Sequence, residues 1–325
     1  MITVLRPGLL TTVQDAGRPG YRAFGLPVAG AMDRLAFALA NALAGAAPGA
    51  AALEMTLQGG AFRFEADAYV GLCGADMQGA LDGSTVGACA GFPVRAGAIL
   101  TFGGARSGVR TYLSVRGGID VPEFLGSRST YARAGVGGFQ GRALRAGDVL
   151  PVGSPDAGGP ARSLPPALVP EVGGEIRLRA LPGPQDDLFS PIGRGMFFGS
   201  EYRVTNRNDR MGYQLEGAAV QHARGADIVS DALVPGAVQV PGKGTPIVMT
   251  ADAQTTGGYP KIATVIGPDL RRLAQARLGD GVRFESCTQE EAVEALRAEQ
   301  KVIEEATALF PRPEGEARRP PRRRP

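Results

Sequence analysis

Apolar and polar positions along the chain follow the rhythm of many short strands. Residues 1–5 alternate with the two-residue period of a strand, and so do residues 175–181, EIRLRAL. Between positions 51 and 150, short apolar runs at 61–64, 69–72, 99–102 and 110–115 are separated by Asp82-Gly83, Gly103-Gly104 and Gly117-Gly118. This spacing predicts a barrel or sandwich and argues against a βαβ sheet. Further strands are expected at 147–153, 201–204, 228–229, 237–240 and 279–284. The similarity between 147–150 and 279–282 (GDVL, GDGV) hints at two like-folded halves.

Two stretches carry a helical period. Leu35, Leu39, Ala42 and Leu43 share one apolar face, with Asp33 just ahead, where a carboxylate suits a helix N-terminus. A second helix is expected over 288–310, opened by the capping box Thr288…Glu291 and striped by Val293, Leu296, Val302 and Ile303. A Pro/Gly/Ala stretch without periodicity separates two units. The expected organisation is a first subdomain over 1–153, a linker over 154–172, a second subdomain over 173–287, the helix 288–310 and a disordered tail over 311–325.

The 48 glycines and 25 prolines fit a chain of many turns. Trp is absent and aromatics are 6%, so the core must rest on Ala, Val, Leu and Ile. Five arginines in the last eight residues, RRPPRRRP, exceed the whole net charge of +3, which leaves the body mildly acidic. Such a tail cannot bury a core; a solvated tail is expected, not a nucleic-acid-binding one. Cys73, Cys89 and Cys287 have neither metal-ligand spacing nor the pattern of a disulfide framework. No secretory signal opens the sequence, and no apolar run reaches membrane length. A cytoplasmic location without membrane attachment is expected.

The single histidine, His222, and the lack of G-x-S-x-G leave no ordinary serine triad. Pro241-Gly242-Lys243-Gly244-Thr245 misses the Walker order, because a strand follows it and Lys243 stands ahead of Gly244. Gly135-Val136-Gly137-Gly138-Phe139-Gln140 lacks the third glycine of a dinucleotide fingerprint. Three polar loops remain. One holds Gln14, Asp15 and Arg18, and a second holds Asn208, Asp209, Arg210 and Tyr213. The third joins two apolar runs within residues 242–267 and carries Asp252, Gln254, Gly257, Gly258, Tyr259 and Lys261. Arg and Lys can hold a carboxylate or phosphate, and Gln and Tyr can donate to a carbonyl oxygen on which charge develops. Such groups serve acyl, carboxyl or phosphoryl transfer, and equally a binding module.

Eight ordered stretches resemble one family. They are PGLLTTVQDAGRPGY (7–21), GAMD (30–33), ALEMTLQGG (52–60), GADM (74–77), GGIDVPEFLGSRSTY (117–131), LPGPQDDLF (181–189), DRMGYQLEG (209–217) and ADAQTTGGYPKIATVI (251–266). The chain is similar to the carboxyltransferase subdomain A/B family, which takes in the C subunit of 5-oxoprolinase and the second subunit of allophanate hydrolase or urea amidolyase. The resemblance implies a mostly β, cyclophilin-like barrel architecture in two subdomains. It implies the B and A subunits of 5-oxoprolinase as partners and ATP-dependent opening of 5-oxo-L-proline to L-glutamate. ATP and Mg²⁺ would enter through the complex, with no metal or flavin bound by this chain.

On that resemblance the three loops become walls of one site. Lys261, Arg210, Tyr259 and Gln254 are the expected catalytic residues, and Gln14, Asp15, Arg18, Asp33, Tyr213, Gly257 and Gly258 the expected substrate-binding ones. Two alternatives follow from the same family: a biotin-dependent urea or amide carboxyltransferase, and a regulatory module that antagonises a kinase inhibitor. No Met-Lys biotinylation site occurs in the chain. One departure from the family pattern is Ala253, where Asp-Arg-Gln-Thr is usual.

Overall fold

Two β units account for most of the chain in the computed structural model, whose described residues are 1–153 and 158–311. In the first unit, two six-stranded antiparallel sheets face each other. One is built on Ile2–Arg6, Ala61–Phe64 and Ile99–Thr101; the other on Leu10–Gln14, Ala52–Thr56, Ala68–Asp76, Ala90–Val94 and Ser107–Val115. The alternation along these strands sends Val4, Phe62 and Leu100 from one sheet, and Leu53, Val70 and Leu113 from the other, into a shared core.

The outer face of the second sheet is also apolar, and α1 (Arg34–Ala44) covers it with Leu35, Leu39 and Leu43. Two glycines let the helix come this close. A Cβ at Gly71 would fall 2.2 Å from the Ala40 carbonyl oxygen, and one at Gly91 would fall 2.5 Å from that of Leu43. Asp33 caps the helix by accepting from the Ala36 N–H at 3.0 Å.

The second unit is a closed seven-stranded barrel. Around it run Ile176–Pro182, Lys261–Val265, Ala237–Gln239, Ile247–Met249, Gly212–Gly217, Glu201–Asn208 and Gly281–Ser286. Every pairing is antiparallel except that of Ile176–Pro182 with Gly281–Ser286. Closure leaves no free edge. The interior is filled by Leu178, Tyr202, Leu215, Val248 and Phe284, with Phe197 of α2 (Pro191–Gly199) stacked on Phe284 at 4.3 Å. A further helix, α3 (Gly267–Ala274), packs beside the Ile176–Pro182 strand. The expected capping box opens α4 (Gln289–Leu309), which leaves the barrel and lies against α1.

The mostly β fold and its barrel are as expected, and several local expectations need correction. Residues 228–229 are not a strand; the short strand there is Asp231–Ala232, paired with Thr256–Gly257. A short helical stretch is expected around Leu188, and a helical turn over Asp186–Leu188 stands there, just ahead of α2; α3 is not expected from the pattern, and Pro268 sits in its first turn, where its missing N–H costs nothing. Within the stretch read as linker, Arg162–Ser163 pairs with Ala90–Val94, while Leu164 and Leu168 are buried under α1. The hinted likeness of the two halves is absent from the pairing, two open sheets in one and a closed barrel in the other. Residues 312–325, nearly all of the expected disordered tail, lie outside the described residues. Among the described residues no helix is long and apolar enough to cross a membrane.

Candidate functional site

Arg210 and Asp252, from the second and third polar loops, meet at the junction of the two units beside a buried carboxylate from the middle of an apolar strand. Glu54 is 1% exposed. One carboxylate oxygen accepts from the Met32 N–H at 2.9 Å and the Tyr112 hydroxyl at 2.8 Å; the other accepts from Arg210 Nη1 at 2.5 Å. Arg110 adds a second guanidinium at 3.8 Å. Burial pushes the Glu54 carboxyl up, but Arg210, Arg110 and the two donors outweigh it and hold it below the usual carboxylate range.

Arg210 reaches Glu54 from the barrel, at the mouth of the Gly212–Gly217 strand. Its Nε and Nη2 also donate to the two oxygens of Asp252 at 2.9 Å each, and Nη2 donates to the Gly30 carbonyl at 2.6 Å. Arg110 answers from the first unit and donates to the Tyr213 hydroxyl at 2.8 Å. Gln275 completes the seam. Its amide oxygen accepts from the Val109 and Arg110 N–H groups at 2.9 Å, and its Nε2 donates to Asp33 at 2.8 Å. Burial raises the Asp33 carboxyl despite the Ala36 and Gln275 donors, and it raises Asp252 despite Arg210.

The first loop is bound inward as well. Asp15 accepts from the Gly17 N–H at 2.8 Å, the Ser127 hydroxyl at 2.7 Å and the Arg128 N–H at 2.5 Å, and from the Ser129 hydroxyl. Gln14 donates to Thr12 and to the Thr130 carbonyl. Arg18 is 1% exposed and donates Nη2 to the Ser129 carbonyl. Its Nε and Nη1 have no partner among the described residues, and burial pulls its pKa down.

The third loop divides in two. Lys261 is buried, and its Nζ donates to Asp231 at 2.5 Å and to the Ala232 carbonyl at 2.8 Å. Lys261, the Ala232 N–H and Gln185 together hold the Asp231 carboxyl down at about 2. This pins the Asp231–Ala232 strand over Thr256–Gly257, where Gly257 packs closely on the Gln239 side chain: a Cβ there would fall 2.6 Å from its Nε2. Gln254 and Tyr259 instead face outward. With Asp209, Gln214 and Gln239 they line an open groove of about 250 Å³ on the barrel wall. Asp209 and Met211 form the rim shared with a cleft of about 810 Å³ between the units, whose other side includes Leu9, Leu57 and Arg133.

The expected site residues therefore separate into two sets. Asp15, Asp33, Gln14 and Tyr213 are buried in the seam or beneath it, Lys261 is buried in its own ion pair, and Arg210, in the same seam, also lines the inter-unit cleft. A desolvated charge is stable only when paired, and each of these residues is hydrogen-bonded within the protein. Arg18 is equally buried but only partly paired. Gln254 and Tyr259 remain free for a ligand, with Gly257 and Gly258 backing them; no partner for either side chain occurs among the described residues. Ala253, in the position of the usual Arg, is fully buried with Leu233, Ala237 and Met249. His222 packs on Phe189 at 4.8 Å and bonds the Val240 carbonyl. Sequence reasoning missed Glu54, Arg110 and Gln275. The signal for Glu54 was present, a lone carboxylate inside the apolar run Ala52–Thr56.

This pairing of a two-sheet unit with a closed barrel is shared with carboxyltransferase-domain proteins. The chain belongs to the family "carboxyltransferase domain, subdomain A and B", whose model matches residues 24–286. It is 40% identical over 305 residues to the 5-oxoprolinase C subunit of Escherichia coli, covering 94% of this chain and 97% of that protein. The Haemophilus influenzae protein of the same name is 39% identical over 297 residues, 91% of this chain and 94% of that one. Urea amidolyase of Saccharomyces cerevisiae is 32% identical over 87% of this chain, which spans 16% of that protein. Among solved structures, urea amidolyase of K. lactis superposes with a TM-score of 0.89 at 31% identity, over 94% of this chain and 20% of that one.

Proposed function

We propose that this chain is the C subunit of a cytoplasmic, ATP-dependent 5-oxoprolinase complex that opens 5-oxo-L-proline to L-glutamate together with the A and B subunits. The observation that carries this reading is the 40% identity to a protein of that name across 94% of one chain and 97% of the other. The groove is compatible with it. Amide resonance makes the lactam carbonyl a poor electrophile, so opening it needs donors at its oxygen. The Tyr259 hydroxyl and Gln254 amide are the donors we assign to substrate, while Lys261 and Arg210 position the loops that carry them.

ATP and Mg²⁺ are assigned to the partner subunits. The Gly242–Thr245 turn does not fit a phosphate cradle: the Gly244 N–H donates to the Pro241 carbonyl at 2.8 Å, and the Gly244 carbonyl accepts from Val220 at 2.9 Å. The groove is open and has one wall in this chain, so on this reading the partner supplies the other.

Coexpression with candidate A and B subunits, followed by assay of ATP-dependent glutamate release from 5-oxoproline, tests the proposal. An assembled complex without turnover overturns it. A second reading, biotin-dependent carboxyl transfer to urea or a similar amide, is favoured by the TM-score of 0.89 to urea amidolyase. It requires bicarbonate and avidin-sensitive activity, and insensitivity to avidin removes it.

A further inference from the structure

Cys73 lies on the strand Ala68–Asp76, and Cys89 lies in the turn immediately before the neighbouring antiparallel strand Ala90–Val94. The register of these strands ends at the pair Leu72 and Ala90, one residue from each cysteine. Their sulfurs are 3.0 Å apart. A disulfide bond is about 2.0 Å long, so closing it takes a further approach of about 1 Å by the two sulfurs.

The two thiols also differ in the way a redox couple requires. Cys73 is fully buried beneath α1 in the cluster with Leu35, Leu39 and Tyr112, whereas Cys89 is half-buried in the turn before Ala90–Val94, where a small oxidant can reach it. The hydrogen bond from Cys73 holds the Cys89 thiol below its usual range, against burial and with help from the Gly74 N–H. The same hydrogen bond and burial push Cys73 up. Cys89 is thus the sulfur that ionises first and meets oxidant first.

We propose that Cys73 and Cys89 form a reversible dithiol–disulfide pair, closed by hydroperoxides and opened by small thiols. In the first step the Cys89 thiolate attacks the distal oxygen of the hydroperoxide. An S–O bond forms, the O–O bond breaks, and the departing alkoxide or hydroxide takes up a proton. In the second step the Cys73 sulfur attacks the Cys89 sulfenic acid. The S–S bond forms and the S–O bond breaks, and the hydroxyl leaves with the Cys73 proton as water. Two thiols lose two electrons in total to one hydroperoxide. The product ties the strand Ala68–Asp76 to the turn ahead of its neighbour Ala90–Val94, beneath α1, the helix capped by Asp33.

The test is to treat the full chain with hydrogen peroxide, alkylate the remaining thiols under denaturing conditions and map peptides without reduction. Of the three cysteines, only Cys287 should be alkylated, a single Cys73–Cys89 linkage should appear within one chain, and dithiothreitol should return all three thiols. In Cys73→Ser, a sulfenic acid at Cys89 should accumulate and be trapped by dimedone, as it is not in the unmodified chain. Oxidation of Cys89 to sulfinic acid without linkage, a crosslink between chains, or three free thiols after treatment would each overturn the pair.

Discussion

Arg210 of the barrel donates to Glu54 of the first unit at 2.5 Å, across 156 positions of sequence. Both side chains are almost wholly excluded from water. The contact places the Asp209–Met211 rim relative to the first unit, because Arg210 is flanked by the two residues that line both the groove and the inter-unit cleft. The seam therefore sets the shape of both openings, and Arg210 and Asp252 also line the cleft.

Arg210→Ala should destabilise the chain by about 3–5 kcal/mol, the range for removing one partner of a buried ion pair. It leaves Asp252 without its two guanidinium bonds and Glu54 with the Met32 N–H, the Tyr112 hydroxyl and the more distant Arg110 at 3.8 Å. Urea denaturation followed by circular dichroism measures this. A loss under about 1 kcal/mol would show that the seam is wet and that Arg210 is available to ligand after all.

How much of this was legible beforehand follows from sequence distance. The strand rhythm, the Asp33 cap and the Thr288–Glu291 capping box are local, and periodicity and turn residues disclose them. The ion pairs of Arg210 are hidden in sequence because its partners, Glu54, Asp252 and Gly30, are far away in the chain. The Lys261 pair is hidden for the same reason, since Asp231 lies 30 positions earlier. Polar residues in a Gly-rich loop look identical in sequence whether they face solvent or lock the loop to its neighbour; here Asp209, Gln254 and Tyr259 line the groove while Lys261 turns inward.

The Lys261–Asp231 pair should weaken in acid. The Asp231 carboxyl is depressed to about 2 from an ordinary value of about 3.9. A depressed acid stabilises the fold fully above its unfolded pKa and loses that contribution as pH falls through the folded one. Asp231→Asn should thus lower Tm relative to the unmodified chain at pH 6, and the gap should shrink by about half near pH 3. A gap that is constant with pH would mean that the pair contributes nothing through its charge.

Gly71→Ala should destabilise by about 1–3 kcal/mol or more through overpacking. The new methyl would meet the Ala40 carbonyl of α1 at 2.2 Å and the Ala44 N–H at 2.5 Å, both backbone atoms that cannot rotate aside. Thermal unfolding checks this, with Gly83→Ala as a comparison at a turn where no atom lies within 4 Å. The comparison must allow for the positive φ of 83° at Gly83, which brings its own strain.

Tyr259→Phe and Gln254→Ala separate binding chemistry from folding. Tyr259 is 41% exposed, Gln254 is exposed, and the side chains of both face the groove. Removing either hydroxyl or amide leaves no buried partner unsatisfied, so each variant should stay within about 0.5 kcal/mol of the parent in stability. In the assembled complex, loss of one donor to a developing oxyanion should lower kcat by about 10²–10³ with a smaller effect on KM. The double variant should fall short of the product of the two, since both donors act on one oxygen. Unfolding curves with steady-state glutamate release on the same preparations give both readouts. Full activity in both variants would move the substrate away from this groove and toward the inter-unit cleft, whose polar lining includes Arg133, Asn208, Arg210 and Asp252.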